Sequence, residues 1–243
     1  MHKYVEIVQE KISRMISGQQ DQLIKAARKI ADSVTKGGIL HVLGTGHSHM
    51  IAEELFYRAG GTVFVNPILD SGFMLHDGAV KSTKIERLPG YAEAVLENID
   101  VQKQDIFLVV SNSGRNILPI EATLFMKENG LYTIAITSLK HSQSVTSRHP
   151  SGKRLFEIVD LTLDNFGEAG DAVLNLPDTQ VKYGPTSTVT GVVLVQTLMS
   201  MVIEELHRRG EQPPIIQSAN LDGADEYNRK LIEKYKKRIS LLR

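Results

Sequence analysis

An α/β fold built on an open parallel sheet is what this 243-residue sequence predicts. Three observations carry the reading. Short apolar runs alternate with segments of helical period, the order of a βαβ chain. The runs are apolar throughout instead of alternating with polar residues, as strands covered on both faces are. The two best-defined runs, residues 39–43 and 106–110, each lead through glycine and small hydroxyl residues straight into a helix.

From Tyr4 to about Val34, apolar residues recur at helical spacing (Tyr4, Ile7, Val8, Ile12, Met15, Ile16, then Leu23, Ile24, Ala27, Ile30), in one long helix or in two that break at Gly18. Lys36-Gly37-Gly38 ends this segment, and residues 39–43 form the first buried strand. Gly44-Thr45-Gly46-His47-Ser48 then opens a helix to about Ala59, and Gly60-Gly61 turns the chain into a short second strand at 62–65. Residues 106–110 are the third strand, 118–128 its helix, 132–136 the fourth strand and 161–163 the fifth. Pro177, Gly184 and Pro185 mark a loop before a long apolar helix at about 187–208. Beyond Pro213-Pro214, an amphipathic helix at about 222–241 ends in a basic segment. With no internal repeat and no low-complexity linker, residues 1–243 read as one domain: a helical arm at 1–35, an α/β core at 36–209 and a helical tail at 210–243.

Lys plus Arg and Asp plus Glu each number 28, so the formal net charge is zero and no broad basic face for nucleic acid is expected. The absence of cysteine excludes a disulfide framework, a thiolate metal cluster and a cysteine nucleophile, and fits a cytoplasmic protein. Met1-His2-Lys3-Tyr4-Val5-Glu6 lacks the apolar core of a signal peptide, and the most apolar stretch, residues 192–203, reads as too short and too polar to cross a bilayer. No membrane partner is expected. The apolar N-terminal helix is expected to need a second copy of the chain to cover it, giving a homodimer.

In an open parallel sheet, ligands bind beyond the carboxyl ends of the strands, near the point where strand order reverses. Ser111-Asn112-Ser113-Gly114-Arg115-Asn116, directly after the third strand, has the form of an anion cradle. A tight turn at a helix N-terminus aims free N–H groups at one point and adds the helix dipole, although the same residues would suit an ordinary capping turn. The first turn presents Thr45, Gly46, His47 and Ser48 at the same sheet end; Thr137-Ser138 ends the fourth strand, and Gly184-Pro185-Thr186-Ser187-Thr188 is another hydroxyl-rich helix start. The candidate binding residues are therefore Gly46, Ser48, Ser111, Asn112, Ser113, Arg115, Asn116, Thr137, Ser138, Thr186 and Ser187.

The succession strand, Gly-x-Gly-x-Ser, helix, then strand, Ser-x-Ser-Gly, helix resembles the SIS (sugar isomerase) family of phosphosugar-binding domains, over roughly residues 23–207. The resemblance implies a flavodoxin-like, doubly wound parallel five-stranded sheet with N- and C-terminal helical extensions, a homodimer or tetramer, and a sugar-phosphate ligand. It gives the phosphate role to Ser111, Asn112 and Ser113 and makes Ser48 a sugar or phosphate contact. Family loops commonly carry Thr or Ser where Asn116 stands here. Asn220-Leu221-Asp222-Gly223-Ala224-Asp225-Glu226-Tyr227-Asn228 lies outside the shared core and marks a branch with its own tail.

An aldose–ketose isomerase moves a proton between adjacent carbons through an enediol, which needs a base plus acids for ring opening and for proton transfer at oxygen. Along the helix after the first turn, His47, Met50 and Glu54 fall at i, i+3 and i+7 and share a face. Glu54 is the candidate base and His47 a cation or N–H donor beside the phosphate turn, while the plain alternative for Glu54 is an i, i+4 ion pair with Arg58. His76, after the loop at 66–75, is a candidate acid; Glu121 and Glu168 are further carboxylates ranked below Glu54. Neither a metal nor a cofactor is expected. His47 and His49, two apart on a helix, diverge, even though His76-Asp77 adds suitable ligand types. A nicotinamide site is excluded because Gly44-x-Gly46 lacks the third glycine at His49 and Asn66-Pro67 stands where the ribose-binding acid belongs. The leading reading is a sugar-phosphate isomerase. An etherase, deaminase or lyase acting on an amino-sugar phosphate, and a non-catalytic phosphosugar sensor, are the alternatives.

Overall fold

The computed structural model describes residues 1–243. The elements in chain order are α1 (Lys3–Ser17), α2 (Gln20–Thr35), β1 (Leu40–Gly44), α3 (His49–Leu55), β2 (Val65–Ile68), α4 (Ala79–Ile85), α5 (Tyr91–Leu96), β3 (Ile106–Val110), α6 (Ile117–Glu128), β4 (Tyr132–Thr137), α7 (Leu139–Gln143), β5 (Leu161–Asp164), the short hairpin β6 (Leu174–Asn175) and β7 (Lys182–Tyr183), α8 (Ser187–Arg208) and α9 (Ala224–Tyr235). Five strands form one parallel sheet in the order β2-β1-β3-β4-β5, the flavodoxin-like arrangement, with strand order reversing between β1 and β3.

The strands' period of two divides their apolar residues between two cores. Leu40, Val42, Ile106, Leu108, Val110, Ile134 and Ile136 pack against Met15, Leu23, Ile30, Ile51, Leu194 and Val202 from α1, α2, α3 and α8. Leu43, Phe107, Val109 and Ala135 face the other way, onto Leu96, Leu118, Ala122 and Met126 from α5 and α6. Covering on both faces is what makes the runs continuously apolar. The N-terminal segment is two helices, broken at Gly18, where a Cβ would meet the Phe166 ring at 3.2 Å. Part of their apolar stripe, including Val8, Met15, Ala27 and Ile30, is buried within the chain itself, while Tyr4, Ile7 and Ile12 are only partly covered and Ile24 is exposed. Gln19, at the break, pairs with the outer edge of β5: its amide donates to the Asp164 carbonyl at 2.6 Å and accepts from the Asp164 N–H at 2.9 Å.

Four expectations shift. β2 begins three residues later than expected, and Thr62 instead bridges to Ile215 of the tail. Pro67 sits inside β2, opposite Val42, because an edge strand can forgo one ladder donor. The helix after the first turn stops at Leu55, where Phe56 turns extended, and the last helix stops at Tyr235. Helix α8 runs 22 residues and is long and apolar enough, by length and composition, to cross a membrane, contrary to the shorter and more polar segment expected; its stripe Leu194, Val195, Leu198, Val202 and Leu206 is buried in the core.

A polar network crosses the sheet at its other end. Asp105, fully buried, accepts from His41 Nε2 at 3.2 Å, from Arg238 at 2.6 and 3.0 Å, and from the Ile39 and Gln102 N–H groups at 2.9 and 2.8 Å; Asn66 donates to His41 Nδ1 at 2.9 Å. Burial alone would raise the Asp105 carboxyl, but these hydrogen bonds outweigh it and hold the group at about 2. Because that lies below the unfolded value, ionised Asp105 stabilises the fold above about pH 4, and the contribution, about 2 kcal/mol, is lost as pH falls through about 2. D105N is expected to lower stability at pH 7 by about 2–4 kcal/mol and to flatten this acid limb, as read from denaturant midpoints between pH 2 and 7.

Candidate functional site

The register that sets Gly44 opposite Val110 brings the 44–48 and 111–116 turns out of the sheet side by side, at the reversal of strand order. Two glycines allow their tightness. A Cβ on Gly44 would overlap the Ser48 carbonyl, and one on Gly114, whose φ is +58°, would lie 3.0 Å from Ser142 Oγ and 3.1 Å from Thr137 Oγ1. In the second turn the Gly114 N–H reaches Ser111 Oγ at 3.3 Å, while the N–H groups of Asn112, Ser113, Arg115 and Asn116 find no acceptor within the protein. A row of unpaired donors leading into α6 is the feature an anion cradle requires.

A narrow crevice, closed down to about 10 Å³ in the unliganded chain, opens here, lined by His47 and Ser48 of the first turn, Asn112 of the second, Asn165 after β5, Ser187 and Thr188 at the start of α8, and apolar walls from Ile51, Val110 and Ile136. A larger hollow, about 300 Å³, runs along the outer edge of β2 beside Asp100 and Arg238; none of the four turns reaches it.

The remaining sequence-selected residues have other positions. Thr137 is fully buried and donates to the Asn112 carbonyl at 3.2 Å. Ser138 donates to the Gly167 carbonyl at 2.6 Å and caps α7 through the His141 N–H, so both shape the second turn from behind. The Arg115 guanidinium extends to Thr146 at 3.4 Å instead of into the crevice. At the start of α8, the Thr186 and Ser187 N–H groups donate to Asp171 at 3.0 and 2.8 Å and the Ser187 hydroxyl also donates to it, while the Thr186 hydroxyl is buried without a partner. Asp171 thus fills the helix start with a carboxylate of the chain's own, from a left-handed φ of +56°. Glu54 does not line the crevice: it pairs with Arg58 and accepts from Gln196 of α8 at 2.9 Å, one helical turn along α3 from Ile51. Glu121 accepts from the Gly90 N–H at 2.9 Å, and Glu168 pairs with Lys11 and Lys140, whose ammonium groups hold its carboxyl at about 2. His76 lies edge-on to His49, ring centroids 5.4 Å apart, on the loop before α4.

Sequence reasoning missed Glu86 and Asn165. Glu86, at the end of α4, accepts from the Thr45 hydroxyl at 2.8 Å and from the Asn116 amide at 2.6 Å, and Arg148 donates to the other side of Asn116 at 2.5 Å. One carboxylate therefore ties the first turn to the second, and burial pushes it up from the usual range against the hydrogen bond from Thr45. At the position where the resemblance leads one to expect a hydroxyl, the Asn116 amide serves this bridge. Asn165 donates to Asn112 Oδ1 at 3.0 Å, and its place after β5 was the signal that could have found it.

The sequence model of the SIS domain matches residues 3–138. A UPF0309 protein of Geobacillus thermodenitrificans is 44% identical over 240 residues, covering 99% of this chain and 96% of that protein. A UPF0309 protein of Listeria innocua is 40% identical over 242 residues, covering 100% and 98%. Among solved structures, a phosphoheptose isomerase from Francisella tularensis superposes with a TM-score of 0.55 at 15% identity, covering 83% of this chain and 95% of that one, and one from Neisseria gonorrhoeae with 0.50 at 14%, covering 83% and 94%. At these identities the superpositions establish a shared fold.

D171A would leave the two N–H groups at the start of α8 without their cap. Thermal denaturation should show a loss of about 1–2 kcal/mol, with the sheet intact by circular dichroism.

Proposed function

We propose that this chain, which belongs to the SIS-domain family, binds a phosphorylated sugar in the crevice between the 44–48 and 111–116 turns and interconverts its aldose and ketose forms. The observation that carries the reading is the convergence of four separate turns on one crevice beside a row of N–H donors without internal acceptors. A phosphate would take those donors together with the Ser113 hydroxyl. The sugar hydroxyls would meet Ser48, Asn112 and Asn165, none of which requires a charged partner. Solved phosphoheptose isomerases of the same fold support this class of ligand.

Isomerisation removes a proton from the carbon beside the aldehyde, passes through an enediol and returns a proton to the former aldehyde carbon. Glu54, one helical turn along α3 from the crevice wall at Ile51, is the base in this reading; it serves the sugar with its carboxylate released from Arg58, and Gln196 orients it. His47, exposed at the crevice mouth, is the acid that opens the ring. His76 is set against His49 and takes no part in this step. Glu86 acts by holding both turns in place. The assembly in this reading is a homodimer or tetramer in the cytoplasm; light scattering that finds only monomer removes that element.

A thermal-shift panel should show stabilisation by sugar phosphates and not by free sugars, because a ligand selective for the native state raises stability by mass action. Stabilisation by nucleotides alone would sink the reading. S113A should weaken sugar-phosphate binding by roughly tenfold without changing the unliganded melting temperature. E54Q should lower kcat by about a hundredfold or more with KM little changed, measured by NMR of aldose–ketose exchange. Loss of a substituent from an amino-sugar phosphate without such exchange would support the etherase, deaminase or lyase reading instead, and binding without turnover the sensor.

A further inference from the structure

We propose that His49, Glu53 and His76 form a binding site for a divalent cation of the zinc type, separate from the sugar-phosphate crevice. One ligand atom from each lies within 4.8 Å of the others. None of the three lines the crevice.

The chemistry begins with His49, which is 3% exposed and held by its surroundings. Its Nδ1 is hydrogen-bonded to the Gly46 carbonyl, and since a carbonyl only accepts, Nδ1 carries the proton. This partner fixes the ring's orientation and leaves Nε2 to serve as the ligand, the arrangement in which imidazoles bind metals. Nε2 points to Glu53 Oε1, one helical turn on along α3, at 3.6 Å. That is too long for a hydrogen bond, but two ligand atoms each about 2.0–2.1 Å from a tetrahedral zinc stand roughly 3.3–3.4 Å apart. The gap between them already has the span of a bridged cation.

His76 supplies the third ligand from a different segment, the loop between β2 and α4, with its ring at 64° to that of His49. Both His76 and Glu53 are exposed side chains, free to draw in around the anchored His49 from the 4.8 Å within which the three ligand atoms already lie. Two imidazoles and one carboxylate suit zinc, with a fourth position open to water, and disfavour magnesium and calcium, which take oxygen ligands. His47 and Asp77, the other residues weighed as ligands from sequence, are not in the cluster. His47 faces the crevice, and Asp77 accepts from Ser71 and Lys81 at 2.7 and 3.2 Å.

A cation here would tie the loop before α4 to the first glycine turn, because its anchoring histidine also holds Gly46. The test uses the tag-free full-length chain with zinc alone and, for spectroscopy, cobalt in its place. Equilibrium dialysis should find one saturable zinc per chain, and cobalt should give the intense visible bands of a four-coordinate site. H76A and E53Q alter exposed side chains and should fold normally by circular dichroism. Each should weaken zinc binding by more than the roughly tenfold that loss of an outer partner costs, and should change the cobalt spectrum. Absence of saturable binding to the wild-type chain would overturn the proposal. So would wild-type affinity and an unchanged cobalt spectrum in both variants, which would assign the cluster to a helical His–Glu contact packed against a loop histidine. Neither outcome bears on sugar-phosphate binding, which the thermal-shift panel reads separately.

Discussion

Parallel pairing of β1 with β3 puts Gly44 beside Val110, and from that adjacency most of the site follows. β1 feeds a chain that leaves toward β2, whereas β3 feeds one that leaves toward β4, so the loops after them diverge and open a gap at the strand ends. The gap is usable because the backbones around Gly44 and Gly114 can approach more closely than any side chain at those positions would permit. Glu86 then acts as a strut between two turns that the sheet only brings near each other. Its carboxylate accepts from both sides, so movement of either turn would leave a half-buried acceptor unsatisfied.

The central strands were legible because burial on both faces leaves only apolar side chains tolerable there, and residues 106–110 match β3. The edge strand was not. Asn66 and Pro67 fall in the loop expected at 66–75, yet at an edge the proline's missing donor faces no ladder partner, and the asparagine is occupied with His41. Between β2 and β3 the sequence offers two helices of seven and six residues, too short to show helical period against background, and Glu86 is hidden there. The turns themselves were readable from glycine and hydroxyl composition. Which donors are free was not, because Thr137, Ser138 and Ser187 look alike in sequence to Ser113 while their hydroxyls are committed to internal acceptors. Likewise, i, i+3, i+7 spacing describes one α-helix, whereas His47 belongs to a 3-10 turn before α3, and His47 lines the crevice while Glu54 lies one turn beyond its wall.

The start of α8 shows how far the unliganded chain satisfies itself. Asp171 reaches the helix N-terminus from a left-handed backbone conformation that a non-glycine residue adopts only at some cost. The 111–116 turn, in contrast, has no such internal anion, and its donors stay open beside the crevice. Two helix starts of similar composition thus differ in which one is left to bind something from outside.

The two margins of the sheet are treated differently from its middle. On the β5 side, the Gln19 amide mimics one step of a sixth strand and stops there; on the β2 side, Pro67 withholds a donor from a strand of only four residues. A sheet bounded this way offers little template for another chain to extend it. The strand ladder is thereby closed at both margins, and the polar groups left open at the end of the sheet are those of the turns beside the crevice.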